Sequence, residues 1–179
     1  MKKIVITFGL ISGALMAAFM FATLPFLEKI GSDKGFLVGY TSMVLAFMLV
    51  FFGIRSYREN VGGGSISFGR AFAVGILIAV ISSVCYVAAW EVLYFNFMPD
   101  FIDKYSAHMI DQARASGATA EAIQQKVREM QHFKQLYSNP FFNVAMTFIE
   151  PFPVGIIITL ISALILRKKK RLEPAPAGA

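Results

Sequence analysis

The chain has one cysteine, one tryptophan and two histidines in 179 residues. A lone cysteine, Cys85, excludes an intramolecular disulfide, and its place inside an apolar run favours simple burial over thiol chemistry. His108 and His132 stand apart, with no H-E-x-x-H pattern and no cysteine–histidine cluster, so no metal site is expected. The triple glycine 62–64 lacks the Gly-Lys-Ser/Thr ending that lets a loop cradle a nucleotide phosphate, and it reads as a plain flexible turn. No nucleophile stands beside a base in any recognisable pattern. No catalytic residue and no cofactor is therefore expected, and an enzyme is the least supported class. Charge is also scarce: 16% of residues are charged against 56% hydrophobic, and the mean hydropathy of +0.62 lies well above that of an ordinary soluble domain.

What is present in quantity is apolar sequence. Crossing the hydrocarbon of a bilayer takes about 20 helical residues, and four stretches are long enough: 4–27, 36–54, 71–98 and 141–166. The expected fold is all-α, a polytopic membrane protein of four transmembrane helices with a helical hairpin inserted between the third and fourth. Lys2 and Lys3 before the first stretch imitate a signal peptide. Its apolar run, however, exceeds the roughly 7 to 15 residues of such a segment, and no cleavage site followed by a soluble domain is seen, so it reads as a retained helix. Residues 1–171 are expected to form one membrane domain, and 172–179, with Pro174 and Pro176, a disordered tail.

The charges orient the spans. On one side stand ten cations, Lys2, Lys3, Arg55, Arg58, Arg70 and the run 167–171, against Glu59 and Glu173. The other side carries seven cations and seven acids. The basic side is expected to be cytoplasmic, with both termini inside and the protein in a bacterial cytoplasmic (inner) membrane. The partner this implies is the lipid bilayer. The net charge of +6 is thereby explained without nucleic acid.

Between the spans, 28–35 reads as a short outer turn and 55–70 as an inner loop, after which Ser65 or Ser67 can cap the third span. The external segment 99–140 reads as two helices separated by Ser116, Gly117 and Ala118, with Thr119 as an N-cap. In the second, Ile123, Val127, Met130, Phe133 and Tyr137 recur at helical spacing and form an apolar stripe. The stripe requires cover, from the preceding helix through Phe101, Tyr105 and Met109, from the membrane interface, or from a protein partner. Asn139 followed by Pro140 is a helix-start signal for the last span.

Rows of small residues, Gly9, Gly13 and Ala17 in the first span and Ala71, Gly75, Ala79 and Ser83 in the third, let helix backbones approach closely in lipid. Packing within the four-helix unit is the favoured use, and a homo-oligomer seam the alternative. Segments 75–84 and 155–164 share five of ten residues, but apolar sequences match readily by chance, and an inverted-repeat transporter does not follow from this alone.

The sharpest features are two acids inside spans. Glu91 and Glu150 lie roughly 10 and 14 Å from the outer ends of their helices at 1.5 Å per residue. Asn143, Thr147 and Glu150 fall on one helix face. An ionised carboxylate near mid-bilayer costs about 3 kcal/mol or more, so each acid must be protonated, paired or wet, and two facing carboxyls would share a proton. Pro151 and Pro153 remove the donors that would satisfy the carbonyls of Thr147 and Ile149, so the fourth span should kink there. Glu91, Glu150, Asn143, Thr147, Pro151 and Pro153 are the candidate polar site. One use is structural, hydrogen-bonding neighbouring helices; the other is an ion, proton or solute site.

The sequence Ser65-Ile66-Ser67-Phe68-Gly69 leading to Phe72 and Gly75, the long helical insert, and Glu150 to Gly155 ahead of a basic end together resemble the domain-of-unknown-function 4199 family of bacterial membrane proteins. The resemblance covers nearly the whole chain. It implies the four-span layout and a bacterial source, and it transfers no activity, cofactor or site residue. Two functional classes follow: a non-enzymatic interaction or assembly role through the external helices, and a small proton- or ion-linked carrier or channel component using Glu91 and Glu150.

Overall fold

The computed structural model describes residues 1–23, 26 and 32–168. The expected end of the first span at Leu27, the turn with Glu28 and Lys29, the side chains of Asp33 and Lys34, and the tail with Lys169, Lys170 and Arg171 lie outside the described residues. Seven helices follow in order: α1 Lys2–Thr23, α2 Ser32–Asn60, α3 Phe68–Asn96, α4 Phe101–Ala115, α5 Ala120–Tyr137, α6 Pro140–Ile149 and α7 Pro151–Leu166. Helix is the form a segment must take in lipid, because it satisfies every backbone N–H and C=O within itself. Four units are long and apolar enough to cross a membrane, with α6 and α7 together making the fourth. No strand occurs among the described residues.

The boundaries show what local chemistry does at each end. The α2 helix does not stop with its apolar run at Ile54 but continues to Asn60. It is sustained by the Arg55–Glu59 pair one turn apart (3.0 Å) and by Tyr57, which turns its ring into the core. The following turn is closed rather than loose. The Gly62 and Gly64 amides bond the carbonyls of Tyr57 and Arg58 at 3.0 and 2.9 Å, and Gly63 and Gly64 adopt φ of +59° and +81°, the left-handed region that glycine occupies at no steric cost. The hydroxyl of Ser67 accepts the amide of Arg70 (3.3 Å) and starts α3 at Phe68. Thr119 caps α5 and Asn139 caps α6 in the same way.

α3 is the central helix. It packs on α1, α2 and α7, while α1 and α7 lie on opposite sides of the α2–α3 pair. The approach is close because glycine sits at each crossing. A Cβ at Gly9 would come within 2.8 Å of Ile81, and one at Gly75 within 2.7 Å of Thr159. One at Gly155 would lie 2.9 Å from Ala79 and 3.0 Å from the ring of Phe47. The small-residue rows are thus used within the chain. The two similar segments cross one another, Gly75 against Thr159 and Gly155 against Ala79. Ser12 and Ser82 bond carbonyls of the facing helices, Ala46 (2.9 Å) and Gly9 (3.2 Å). In lipid, where no hydrophobic force drives helices together, such close packing and interhelical hydrogen bonds supply the association. Leu10, Met48, Val84, Ile161 and Ile165 point outward, as lipid-facing residues do.

α4 and α5 run in opposite directions against each other, with Asp103 near the start of α4 paired to Lys134 near the end of α5. The stripe Ile123, Val127, Met130 and Phe133 is partly buried, and Tyr105 of α4 meets Phe133 with ring centres 6.3 Å apart. The preceding helix therefore supplies cover. Gly117, at φ +76°, makes the turn between them.

Candidate functional site

Tyr86, Trp90, Tyr137, Asn143, Thr147 and Glu150 gather where α3, the end of α5 and the α6–α7 junction meet. Pro151 has no N–H and cannot continue the helical ladder, so the fourth span breaks at Glu150, between Ile149 and Pro151. A kink was expected here; the ladder is interrupted while Glu150 keeps helical φ and ψ of −64° and −58°, and its carboxyl lies at the discontinuity. The phenol of Tyr86 on α3 donates to Glu150 Oε2 at 3.0 Å. Tyr40 of α2 lies within electrostatic reach of the same carboxyl.

One turn further along α3, Trp90 donates its indole N–H to the hydroxyl of Tyr137 at 2.8 Å. Tyr137 is the last residue of α5 and is buried. It lies beside Thr147, and burial pushes its phenol above the ordinary value. Thr147 in turn donates to Asn143 Oδ1 at 3.2 Å. Aromatic rings fix the junction: Trp90 meets Phe101 edge-on at 4.8 Å, and Tyr94 meets Tyr137 at 5.5 Å.

The six residues singled out from sequence are thus treated differently. Asn143 and Thr147 are brought together and buried. Glu150 bonds Tyr86, and Pro151 is packed into the core. Pro153 is exposed. Glu91 shares no hydrogen bond with Glu150; Tyr94 and Tyr137 lie within its electrostatic reach. The reason is angular. Tyr86, which reaches Glu150, is five residues before Glu91, so the two side chains leave α3 about 140° apart.

Two polar atoms here are buried without a partner among the described residues, Oε1 of Glu91 and Nδ2 of Asn143. Buried groups left unsatisfied carry a cost of about 1–3 kcal/mol each. Tyr86, Trp90 and Tyr94 were not anticipated, and Tyr137 was expected only as part of the apolar stripe. Their signal was present for the first three, which recur every fourth residue along α3 as a row of aromatic rings with polar tips. His108 and His132 fall on different helices, and no group of three or more metal-ligating residues occurs among the described residues.

Four apolar crossing segments with a polar seam held between them define a multi-pass membrane protein. The chain belongs to the DUF4199 family, described as proteins of unknown function, whose family model matches residues 7–168. Comparison with curated proteins and with solved structures gave no match.

Proposed function

We propose that the protein is a small proton- or cation-linked carrier or channel component of a bacterial cytoplasmic membrane, non-enzymatic, with both termini inside. Glu150 is its exchanging group. The observation that carries this reading is a carboxyl at a helix break within a span, bonded to a phenol of the facing helix. A carboxyl so placed can give up and recover one proton, or hold one cation, while Tyr86 keeps it in position. The prolines leave the carbonyls of Thr147 and Ile149 without backbone donors, and such carbonyls at a discontinuous helix are suited to a desolvated cation. Glu91, farther round α3, supplies a second ionisable station.

The assembly role rested on an apolar stripe in need of a partner, and α4 covers part of that stripe. What remains in its favour is the exposed charged face of α5.

The test is flux in proteoliposomes containing the full chain, with an imposed potential and a pH-sensitive dye. Wild type should move protons, sodium or potassium. Glu150→Gln, which keeps size and a hydrogen bond to Tyr86, should reduce flux to that of protein-free vesicles while helical content is retained. Flux that survives in Glu150→Gln, or a wild-type protein that moves none of these ions, rejects the reading. Crosslinking through α5 then becomes the experiment of choice.

A further inference from the structure

A second polar region lies at the opposite, basic end of the bundle, and it is independent of Glu150. There the α2–α3 turn is fastened to the end of α7 by two backbone hydrogen bonds, Ile66 N–H to Lys168 O (3.0 Å) and Lys168 N–H to Ile66 O (2.9 Å). This fastening makes one wall of an open pocket of about 430 Å³ lined by Tyr57, Ser65, Ser67, Arg70 and Lys168, among others.

Its chemistry is one-sided. Arg70 and Lys168 contribute two positive charges, and neither makes an ion pair among the described residues. Glu59, the nearest acid in sequence to Arg70, is already engaged by Arg55 and Arg58 at 3.0 and 3.3 Å. The 29-residue helix α3 begins at this pocket and directs the positive end of its dipole into it. Tyr57 is the independent sign of a ligand. Only 8% of it is exposed, it lines the pocket, and its hydroxyl has no hydrogen-bond partner among the described residues. A largely buried tyrosine lining a space flanked by two cations that make no ion pair among the described residues matches an acceptor-rich anion.

We propose that this pocket binds a phosphate group, held by Arg70, Lys168 and the Tyr57 hydroxyl at the start of α3. A phosphate offers the several acceptor oxygens and the negative charge that this donor set requires. The pocket lies at the end of the apolar segments, so the phosphate can belong to a lipid headgroup or to a small soluble phosphate compound.

The two sources are separated by two measurements on the purified full chain. Calorimetric titration with inorganic phosphate and with glycerol 3-phosphate reports a soluble ligand. Native mass spectrometry with phosphatidylglycerol against phosphatidylcholine of the same acyl chains reports a headgroup. Binding in either arm that exceeds the phosphatidylcholine or chloride control is the expected result. Arg70→Gln with Lys168→Gln should abolish it, and Tyr57→Phe, which keeps the ring and the packing, should weaken it several-fold. Arg55→Gln, outside the pocket, should leave it unchanged. The backbone fastening at Ile66 and Lys168 survives these changes because main-chain atoms make it. No preferential binding in either arm, or equal binding by the double variant and wild type, overturns the proposal.

Discussion

The two halves of α3 solve different problems with the same helix. Toward the basic end it meets α7 through Gly75 and Ala79, which lie against Thr159 and Gly155 with no room for another carbon. Toward the other end it meets α6 and the last turn of α5 through Tyr86, Trp90 and Tyr94, whose rings hold helices apart and whose polar tips reach across the gap. Small residues give a contact that is dense, with only short hydroxyl side chains as its polar groups. Large amphipathic ones give a contact that is polar and aromatic; unpaired buried atoms occur in both halves, at Ser83 and Thr159 in the first and at Glu91 and Asn143 in the second. A helix pair that only had to be stable would continue the first pattern. The change of pattern coincides with the break in the fourth span at Glu150.

The largest effect should come from spoiling the dense half. Gly155→Leu places its first carbon against Ala79 and Phe47, and Ala79 Cβ has no rotamer by which to withdraw, so α3 and α7 must separate. The expected loss is about 3 kcal/mol, at the upper end for overpacking, read as a lowered midpoint in detergent unfolding. Gly39→Leu, where an added Cβ meets nothing within 4 Å, serves as the control and should be near neutral. Equal behaviour of the two variants would break the contrast between a packed and an unpacked glycine.

A smaller effect belongs to the aromatic half. Trp90→Phe retains a ring against Phe101 but removes the donor to Tyr137. The net cost of one such hydrogen bond is about 1 kcal/mol. It should appear as faster hydrogen exchange in the last turn of α5, with little change in α1 or α7. Faster exchange throughout the bundle would show that the two halves are one cooperative unit.

Much of this architecture is written locally. Apolar run lengths specify the four spans, and Thr119, Asn139 and Pro151 mark starts and a break because caps and prolines act within one turn of themselves. The rows at Gly9 and Gly75 point to close crossings for the same reason. What is not local could not be read. Tyr86 and Glu150 are 64 residues apart, and their meeting depends on the rotation of two helices about their axes, which apolar composition leaves open on all sides. The expectation that Glu91 would share a site with Glu150 used matched depth and a shared inward orientation, and neither fixes which neighbouring helix a side chain meets. The extension of α2 to Asn60 was missed because hydrophobicity ends at Ile54, whereas an ion pair along the helix and the burial of Tyr57 carry the helix further.

The smallest effect is expected at Glu129, and its value lies in sharing a chemical change with Glu150. Glu129 sits on α5, outside the spans, and accepts from Lys126 at 2.9 Å and from Gln125 at 3.1 Å. The hydrogen bond from Lys126, that from Gln125 and the Lys126 charge, in that order, hold its carboxyl below the ordinary value of 4.5. A depressed value in the folded state means that any stability the group adds is present above the unfolded value and disappears as pH falls through the folded one. That window lies below about pH 4.5 for a carboxylate near its reference value. Because Glu129 is exposed to water, screening makes the contribution small even above the window. Glu129→Gln should therefore leave the unfolding midpoint unchanged near pH 7, remove only a slight acid sensitivity, and leave ion flux intact. The same replacement at Glu150, bonded to Tyr86 within the spans, should silence flux. If Glu129→Gln alters flux as Glu150→Gln does, position within the bundle is not what distinguishes the two acids, and the functional contrast between the polar seam and the solvated helices fails.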